Sequence, residues 1–417
     1  MSTAASIPER VERVVITGMG IWSCLGKDLA EVAESLRIGR SGIVFDPVRK
    51  EMGFRSALTG KVDMPDLKAE LGRRQRVGMA EECYYAYAAT AQAFRQAGIG
   101  EAELRAHEVG ILYGNDSSAL AVVEGVDALR RKKDTTLIGS GSIFQSMNST
   151  VTMNLSTIFG LRGINYTVSG ACASGSHAIG MGFLLIRQGL QRIVLCGGAQ
   201  EVNPVAFCSF DGISAFSVRE ADPTRASRPF DRGRDGLVPS GGSAALVLES
   251  LSSALERGAP ILAEVVGYGF SSNGRHISDP DLDGQVRALH MALKMADMGP
   301  ADIGYINAHA TSTPIGDLVE ARAIDTVFGA TRPPVSSTKG MTGHECWMAG
   351  ASEVVYSILM MQGGFLAPNL NFEEPDEASE RLNVVRGPMQ HRVDALLSNS
   401  FGFGGTNSTI IIKRYAS

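Results

Sequence analysis

Charge is missing where a globular chain would normally carry it. Between residues 135 and 186 the only Asp, Glu, Lys or Arg is Arg162, although the chain average of 20 % charged residues would place about ten there. The stretch 139–157 is instead rich in Ser, Thr, Asn and Gln. That composition excludes a membrane span and points to surface buried against more protein, its hydroxyls and amides satisfied locally. One subunit can hardly enclose so long a segment, so a homodimer seam is expected here. A second uncharged run, 395–412, lies near the C-terminus.

Other absences narrow the field. No run of 18 apolar residues occurs, so no membrane helix is expected. The six cysteines include no C-x-x-C pair, which suggests reduced thiols and a cytoplasmic, soluble protein. The apolar segment 14–25 is interrupted by Gly18 and Gly20 and lacks a small-x-small cleavage site, so it reads as a buried first strand rather than a signal peptide. A net charge of −5 leaves no overall match for nucleic acid. No H-x-x-x-H spacing exists, so no metal is expected. Gly18 and Gly20 lack the third glycine and downstream acid of a dinucleotide site.

What is present is an α/β pattern. Short, continuously apolar runs at 13–17, 109–113, 165–169, 192–197 and 244–248 read as strands covered on both faces. Further runs follow at 263–267, 305–308, 395–398 and 409–413. Helical periodicity is clear at 28–37, 76–97, 174–188, 284–295, 316–327 and 349–362. VVITGMG at 14–20 and EVVGYG at 264–269 open similar series of elements, so an internal duplication is expected, with halves 1–258 and 259–417. The 48 glycines imply many tight turns and close backbone approaches.

Three local settings could carry chemistry. Cys172 lies in SGACASG, between a strand and a helix, where small neighbours permit a sharp turn. A helix N-terminus there is expected to lower the thiol pKa. His309 in NAHATST, and His344 five residues after Lys339 in STKGMTGH, occupy loops of the kind that build active sites in α/β folds. In NSFGFGGTN at 399–407 the backbone of Gly402 to Gly405 can present N–H groups to an oxyanion. Two basic clusters stand out on this acidic chain: Arg73, Arg74 and Arg76, and Arg130, Arg131, Lys132 and Lys133. They suit docking of an acidic carrier.

Taken together these motifs resemble the β-ketoacyl-[acyl-carrier-protein] synthases, the ketoacyl synthase I/II type of thiolase-fold condensing enzymes. The resemblance implies a thiolase-like duplicated α-β-α-β-α five-layered fold with mixed sheets, a homodimer and an acyl carrier protein as partner. It implies no cofactor beyond the phosphopantetheine that carries the substrates. It also assigns roles: Cys172 as nucleophile, the N–H groups of Cys172 and Phe403 as oxyanion hole, and His309 and His344 as donors to the enolate. Lys339 would order His344, with Glu353 behind it. Phe403 would gate the acyl pocket, and Phe401 and Ser117 would line it, the small Ser117 leaving room for a long chain. Ala310 stands where the family has Gly, and Trp347 where a glycine is expected, with Glu345 and Cys346 beside it. The expected activity is decarboxylative condensation of malonyl-carrier with a Cys-bound acyl chain in fatty-acid elongation. A ketosynthase of a polyketide or polyene pathway, a non-catalytic chain-length subunit, a Cys-His hydrolase and a coenzyme A thiolase are the alternatives. A thiolase would need a second cysteine near the C-terminal glycine loop, and there is none.

Overall fold

Continuously apolar strands need cover on both faces, and this chain supplies it with helices. The computed structural model describes residues 11–416, so the outermost residues of both expected halves lie outside it. In the first half run β1 (Val14–Trp22), β2 (Val109–Gly114), β3 (Asn165–Val168), β4 (Ile193–Gln200) and β5 (Gly242–Ser250). In the second run β6 (Ala263–Ser272), β7 (Tyr305–Asn307), β8 (Pro334–Ser336), β9 (Asn383–Val384), β10 (Ala395–Gly402) and β11 (Thr406–Lys413). They join in the order β3-β2-β4-β5-β1-β6-β11-β10-β7-β8-β9.

The duplication is written in the strand directions. Outward from β1, the pairs β1–β5 and β5–β4 are antiparallel, and β4–β2 and β2–β3 are parallel. Outward from β6, the pairs β6–β11 and β11–β10 are antiparallel, and β10–β7 and β7–β8 are parallel. The two half-sheets meet where Val14 pairs with Val265 and Ile16 with Ala263.

Side-chain alternation along the strands then creates the layers. Helices α1 (Glu81–Ala97), α2 (Ala119–Lys132), α3 (Thr150–Phe159) and α4 (Ser174–Arg187) belong to the first half, and α5 (Leu282–Ala296), α6 (Pro314–Phe328) and α7 (Ala349–Gly363) to the second. Leu246 and Leu248 face inward with Ile410 and Ile412, packing on Ile179 and Phe183 of α4 and Val354 and Ile358 of α7. Ala245 and Val247 face outward onto Ala89, Ala93 and Phe94 of α1. Ile411 and Leu397 face the other way, onto Leu289 of α5 and Ile324 and Phe328 of α6. The result is the expected α-β-α-β-α stack.

The repeated glycine pairs that open each half are packing devices. A Cβ at Gly18 or Gly20 would sit 2.1 or 1.9 Å from the carbonyl oxygens of Ala93 or Ala89 on α1. A Cβ at Gly267 or Gly269 would sit 2.6 or 1.9 Å from those of Ala292 or Ala288 on α5. Both first strands thus lie directly against a helix backbone, which only glycine allows.

Helices α2 and α3 were not evident from periodicity. None of the residues of α2 is buried, so its Val122, Val123, Val126 and Leu129 form no inward stripe. In α3 the buried positions are Thr150, Val151, Thr152 and Leu155, a mixed polar set. The segment 76–97, expected as one helix, is a short turn at Arg73–Arg76 followed by α1.

Candidate active site

The two central helices bring distant motifs together. A Cβ at Gly175 would lie 2.9 Å from the Ala351 backbone nitrogen, and one at Gly350 would lie 2.5 Å from that of Ser176. The N-termini of α4 and α7 therefore touch backbone to backbone. Cys172 precedes α4 and His344 precedes α7, so this contact fixes them as neighbours: His344 Nε2 lies 3.0 Å from Cys172 Sγ.

The turn carrying Cys172 is sharp, as the small residues suggest. Ala171 adopts φ 46°, a left-handed conformation that costs a non-glycine residue about 1–3 kcal/mol. Its N–H donates to Asp116 (2.9 Å), the Gly170 N–H donates to Ser174 Oγ (2.9 Å), and Ser174 Oγ–H donates to the Ala171 carbonyl (2.7 Å). These bonds hold the strained turn in place.

His309 follows β7, with its ring 5.3 Å from that of His344 at an 87° angle and 6.1 Å from that of Phe401. Its backbone is clamped by a carboxylate: the N–H groups of His309 and Ala310 donate to Glu320 of α6 (2.8 and 2.6 Å), and Asn399 donates to the same group (3.1 Å). One turn earlier on α6, Asp317 accepts from Phe230, Ser312 and Thr313. Neither acid was singled out in the sequence, although their i, i+3 spacing at the start of a helix places both on one face. His344 is held by its backbone, its N–H donating to the Val238 carbonyl (2.7 Å) and its carbonyl accepting from Ser240 (2.9 Å).

Lys339, 1 % exposed, ion-pairs with Glu353 of α7, and no hydrogen bond joins it to His344. The expected ordering of His344 by Lys339 is therefore not a direct contact. Its influence is electrostatic. Burial, and then the Lys339 charge, push both imidazoles well below the usual histidine range, His309 being lowered further by His344. Both are neutral at pH 7. Burial raises Glu353 to about 7, against the pull of Lys339.

The expected lowering of the Cys172 pKa is reversed. Burial pushes the thiol up to about 12, against the Lys339 charge and hydrogen bonds from the backbone N–H groups of Phe403 and Cys172 itself. An enclosed sulfur pays more for desolvating its charge than these neighbours return. The resting pair is thus neutral thiol and neutral imidazole. These two N–H groups beside the sulfur are donors of the kind an oxyanion hole requires. The Phe403 N–H is set by the turn Phe403–Gly405, whose Gly404 has φ 79°.

A cavity of about 400 Å³ leads to this cluster, lined near the sulfur by Cys172, His309, His344, Phe401 and Phe403, and farther out by Thr311, Thr313 and Ile315. Ser117 does not line it. Its Oγ accepts the indole N–H of Trp347 at 3.1 Å, so the room expected from a small residue there is filled by a large one. Glu345 turns away from His344 and accepts from Ser352 and Tyr356. Arg73, Arg74, Arg130, Arg131, Lys132 and Lys133 are exposed; Arg76 is half-buried, donating to the Leu71 carbonyl. Among the described residues no helix is long and apolar enough to cross a membrane. The Cys172 sulfur and one ring nitrogen each of His309 and His344 lie within 4.8 Å of one another, close enough to bind one metal ion as well as to act as a hydrogen-bonded set.

Known proteins resemble this chain over nearly all of its length. Residues 11–254 match the Beta-ketoacyl synthase, N-terminal domain, and residues 262–373 the Beta-ketoacyl synthase, C-terminal domain. The chain is 41 % identical over 407 residues to the 3-oxoacyl-[acyl-carrier-protein] synthase 1 of Escherichia coli (strain K12), covering 97 % of this chain and 99 % of that one. It superposes on a crystal structure of a beta-ketoacyl synthase from Burkholderia phymatum STM815 with TM-score 0.92 and 35 % identity, covering 97 % of this chain and 100 % of that one. A ketosynthase solved in complex with its type II PKS acyl-carrier protein gives TM-score 0.86 at 28 % identity, covering 98 % of this chain and 100 % of that one.

Proposed function

The chain belongs to the β-ketoacyl synthase family, and from that premise we propose how its own residues carry out acyl transfer and condensation. It is a 3-oxoacyl-[acyl-carrier-protein] synthase, an acyltransferase-type condensing enzyme. In our reading it serves fatty-acid elongation. The observation that carries the residue roles is the cluster of one thiol and two neutral imidazoles at the end of the cavity.

His344 Nε2 takes the thiol proton as Cys172 Sγ attacks the carbonyl of an acyl thioester brought by an acyl carrier protein. The backbone N–H groups of Cys172 and Phe403 hold the oxyanion until the carrier thiolate leaves and regains a proton, giving acyl-Cys172. Malonyl-carrier then occupies the cavity, its thioester oxygen accepting hydrogen bonds from His309 and His344. Its carboxylate leaves as CO₂, and the electron pair of the broken C–C bond forms an enolate. The enolate carbon attacks acyl-Cys172, the Cys172 sulfur leaves, and a 3-oxoacyl thioester two carbons longer remains on the carrier. Neutral imidazoles suit the decarboxylation, because an imidazolium would protonate the carbanion. Lys339 favours the same state by penalising any positive charge on either ring. It would also repel a divalent cation, so we read the cluster as a metal-free triad. A silent chain-length subunit would not need this convergence of groups. Mixing the protein with acyl- and malonyl-carrier and weighing the product tests the assignment: a 3-oxoacyl chain two carbons longer is expected, and hydrolysed acyl groups alone would favour a hydrolase.

We read the exposed arginine and lysine clusters as the carrier's docking patch. Reversing charge at Arg73, Arg74 and Arg130 together is expected to raise KM for carrier-bound substrate about tenfold at low salt with little change in kcat, an effect that shrinks as salt rises. An unaltered KM would return these residues to ordinary surface.

The homodimer is supported by the surface of the uncharged stretch. Ile143, Phe144, Met147 and Tyr166 are exposed there, next to Val122, Val126 and Leu129 of the unburied α2. Strand β3 ends the sheet with one edge unpaired, and Tyr166 on it is 64 % exposed. A second copy would cover the apolar surface and that edge together. Light scattering is expected to give twice the chain mass, falling to one chain in Phe144→Asp/Tyr166→Asp. A monomeric native protein would contradict the seam.

A further inference from the structure

Two substrates must meet at the Cys172 sulfur, and the cavity that reaches it does not extend to Trp347 or Ser117. The cavity runs from Cys172 outward past Thr311, Thr313 and Ile315, the path along which malonyl-carrier arrives. The acyl group on the sulfur has to lie elsewhere, and between the cavity and Ser117 stands an aromatic wall whose Phe210 and Phe403 also line the cavity. Phe210 stacks at 6.1 Å on Phe403 and at 6.2 Å on Phe216, and Trp347 tilts against Phe210 at 6.3 Å. Trp347, 9 % exposed, shares one apolar cluster with Cys172, Phe207, Phe216 and Leu237.

The indole is held in this place. Cys346 before it takes φ 45°, a left-handed turn that a side-chain-bearing residue adopts only under constraint. The indole N–H is latched to Ser117 Oγ. Neither Trp347 nor Ser117 lines the cavity. The pair therefore blocks the route from the sulfur toward Ser117.

We propose that Trp347, latched to Ser117, sets the length of the acyl group that Cys172 accepts, restricting the enzyme to short-chain acyl primers. The inference rests on the condensing reaction assigned above and names the substrate class of that same site. In water an added methylene gains nothing from an indole-filled wall; once the indole is gone, each CH₂ can be buried.

The test compares acetyl-, butyryl-, octanoyl- and dodecanoyl-carrier as primers, with malonyl-carrier as extender, in the full-length native protein and in Trp347→Gly and Trp347→Leu. Native enzyme is expected to favour acetyl and butyryl over dodecanoyl by at least about tenfold in kcat/KM, one pocket contact's worth of discrimination. In Trp347→Gly the order reverses, kcat/KM rising about fourfold per methylene while the pocket lasts, the equivalent of about 0.8 kcal/mol per buried CH₂. Trp347→Leu gives an intermediate profile, and it carries the test alone should the glycine variant fail to fold. Intact-protein mass after incubation with octanoyl-carrier is expected to show acyl-Cys172 in the variants and little in the native enzyme. Native enzyme that takes dodecanoyl as well as acetyl, or a folded variant with the native length profile, overturns the proposal. Native enzyme that condenses no primer at all instead refutes the condensing assignment itself.

Discussion

Replacing Cys172 with alanine is expected to abolish acyl-enzyme formation and to lower kcat/KM for condensation by on the order of 10⁴-fold or more, the scale seen when a covalent nucleophile is removed. No other thiol can substitute. Cys83 and Cys196 are buried within other parts of the fold, Cys208 is exposed, and Cys24 is half-buried with its pKa pushed up to about 12. Cys346 is the nearest rival, but it is 2 % exposed, its sulfur points to the His344 carbonyl, and its pKa is raised well above the usual range by burial. Decarboxylation of malonyl-carrier needs only the two imidazoles, so the alanine variant is expected to keep releasing CO₂ without forming the 3-oxoacyl product. The checks are intact-protein mass for the acyl-enzyme and carbonate release for the half-reaction. An alanine variant that still elongates would displace Cys172 from its role.

Replacing His309 with alanine is expected to cost about 10²–10³ in kcat, the worth of one preorganised donor to a developing oxyanion, while acylation of Cys172 continues. His344→Ala impairs both steps, because of the two imidazoles it is that of His344 which hydrogen-bonds the sulfur. Decarboxylation rate against acylation rate separates the two variants. The pH dependence follows from the same electrostatics. Both histidines are lowered well below 6.5, so each stays neutral through that pH as acid is added. Activity is therefore expected to hold at pH 6.5 and to fall only at distinctly lower pH, where protonation removes the neutral donors. An acid limb centred at or above 6.5 would contradict the burial and charge environment described here.

How much was legible in the sequence can be judged residue by residue. Strand runs such as those of β4 and β11 were readable because covering a sheet on both faces demands unbroken apolar residues. The elbow at Cys172 and the loops of His309 and His344 were readable because tight turns at element ends demand small residues in fixed order. The lack of charge near the nucleophile was visible as plain composition. Helix α2 was not legible, because no face of it is buried within one chain and the inward periodicity that marks a helix is missing. Glu320 and Asp317 were overlooked, because nothing local distinguishes a clamp from any other acidic residue at a helix start.

The sequence by itself determined the α/β class, the duplication, the family resemblance and the choice of candidate reactive groups, since each is encoded by local pattern. The tertiary structure alone decided how those groups behave. Contact of α4 with α7 sets the 3.0 Å between sulfur and imidazole. Burial reverses the expected shift of Cys172, and pairing with Glu353 turns Lys339 into a source of field rather than a ligand of His344. Ser117, small enough in the sequence to imply a deep pocket, instead receives the indole of Trp347, 230 residues away along the chain. Desolvation and long-range packing depend on what lies nearby in space, and for Cys172 and Ser117 that neighbourhood includes His344 and Trp347 from the opposite half of the duplicated fold.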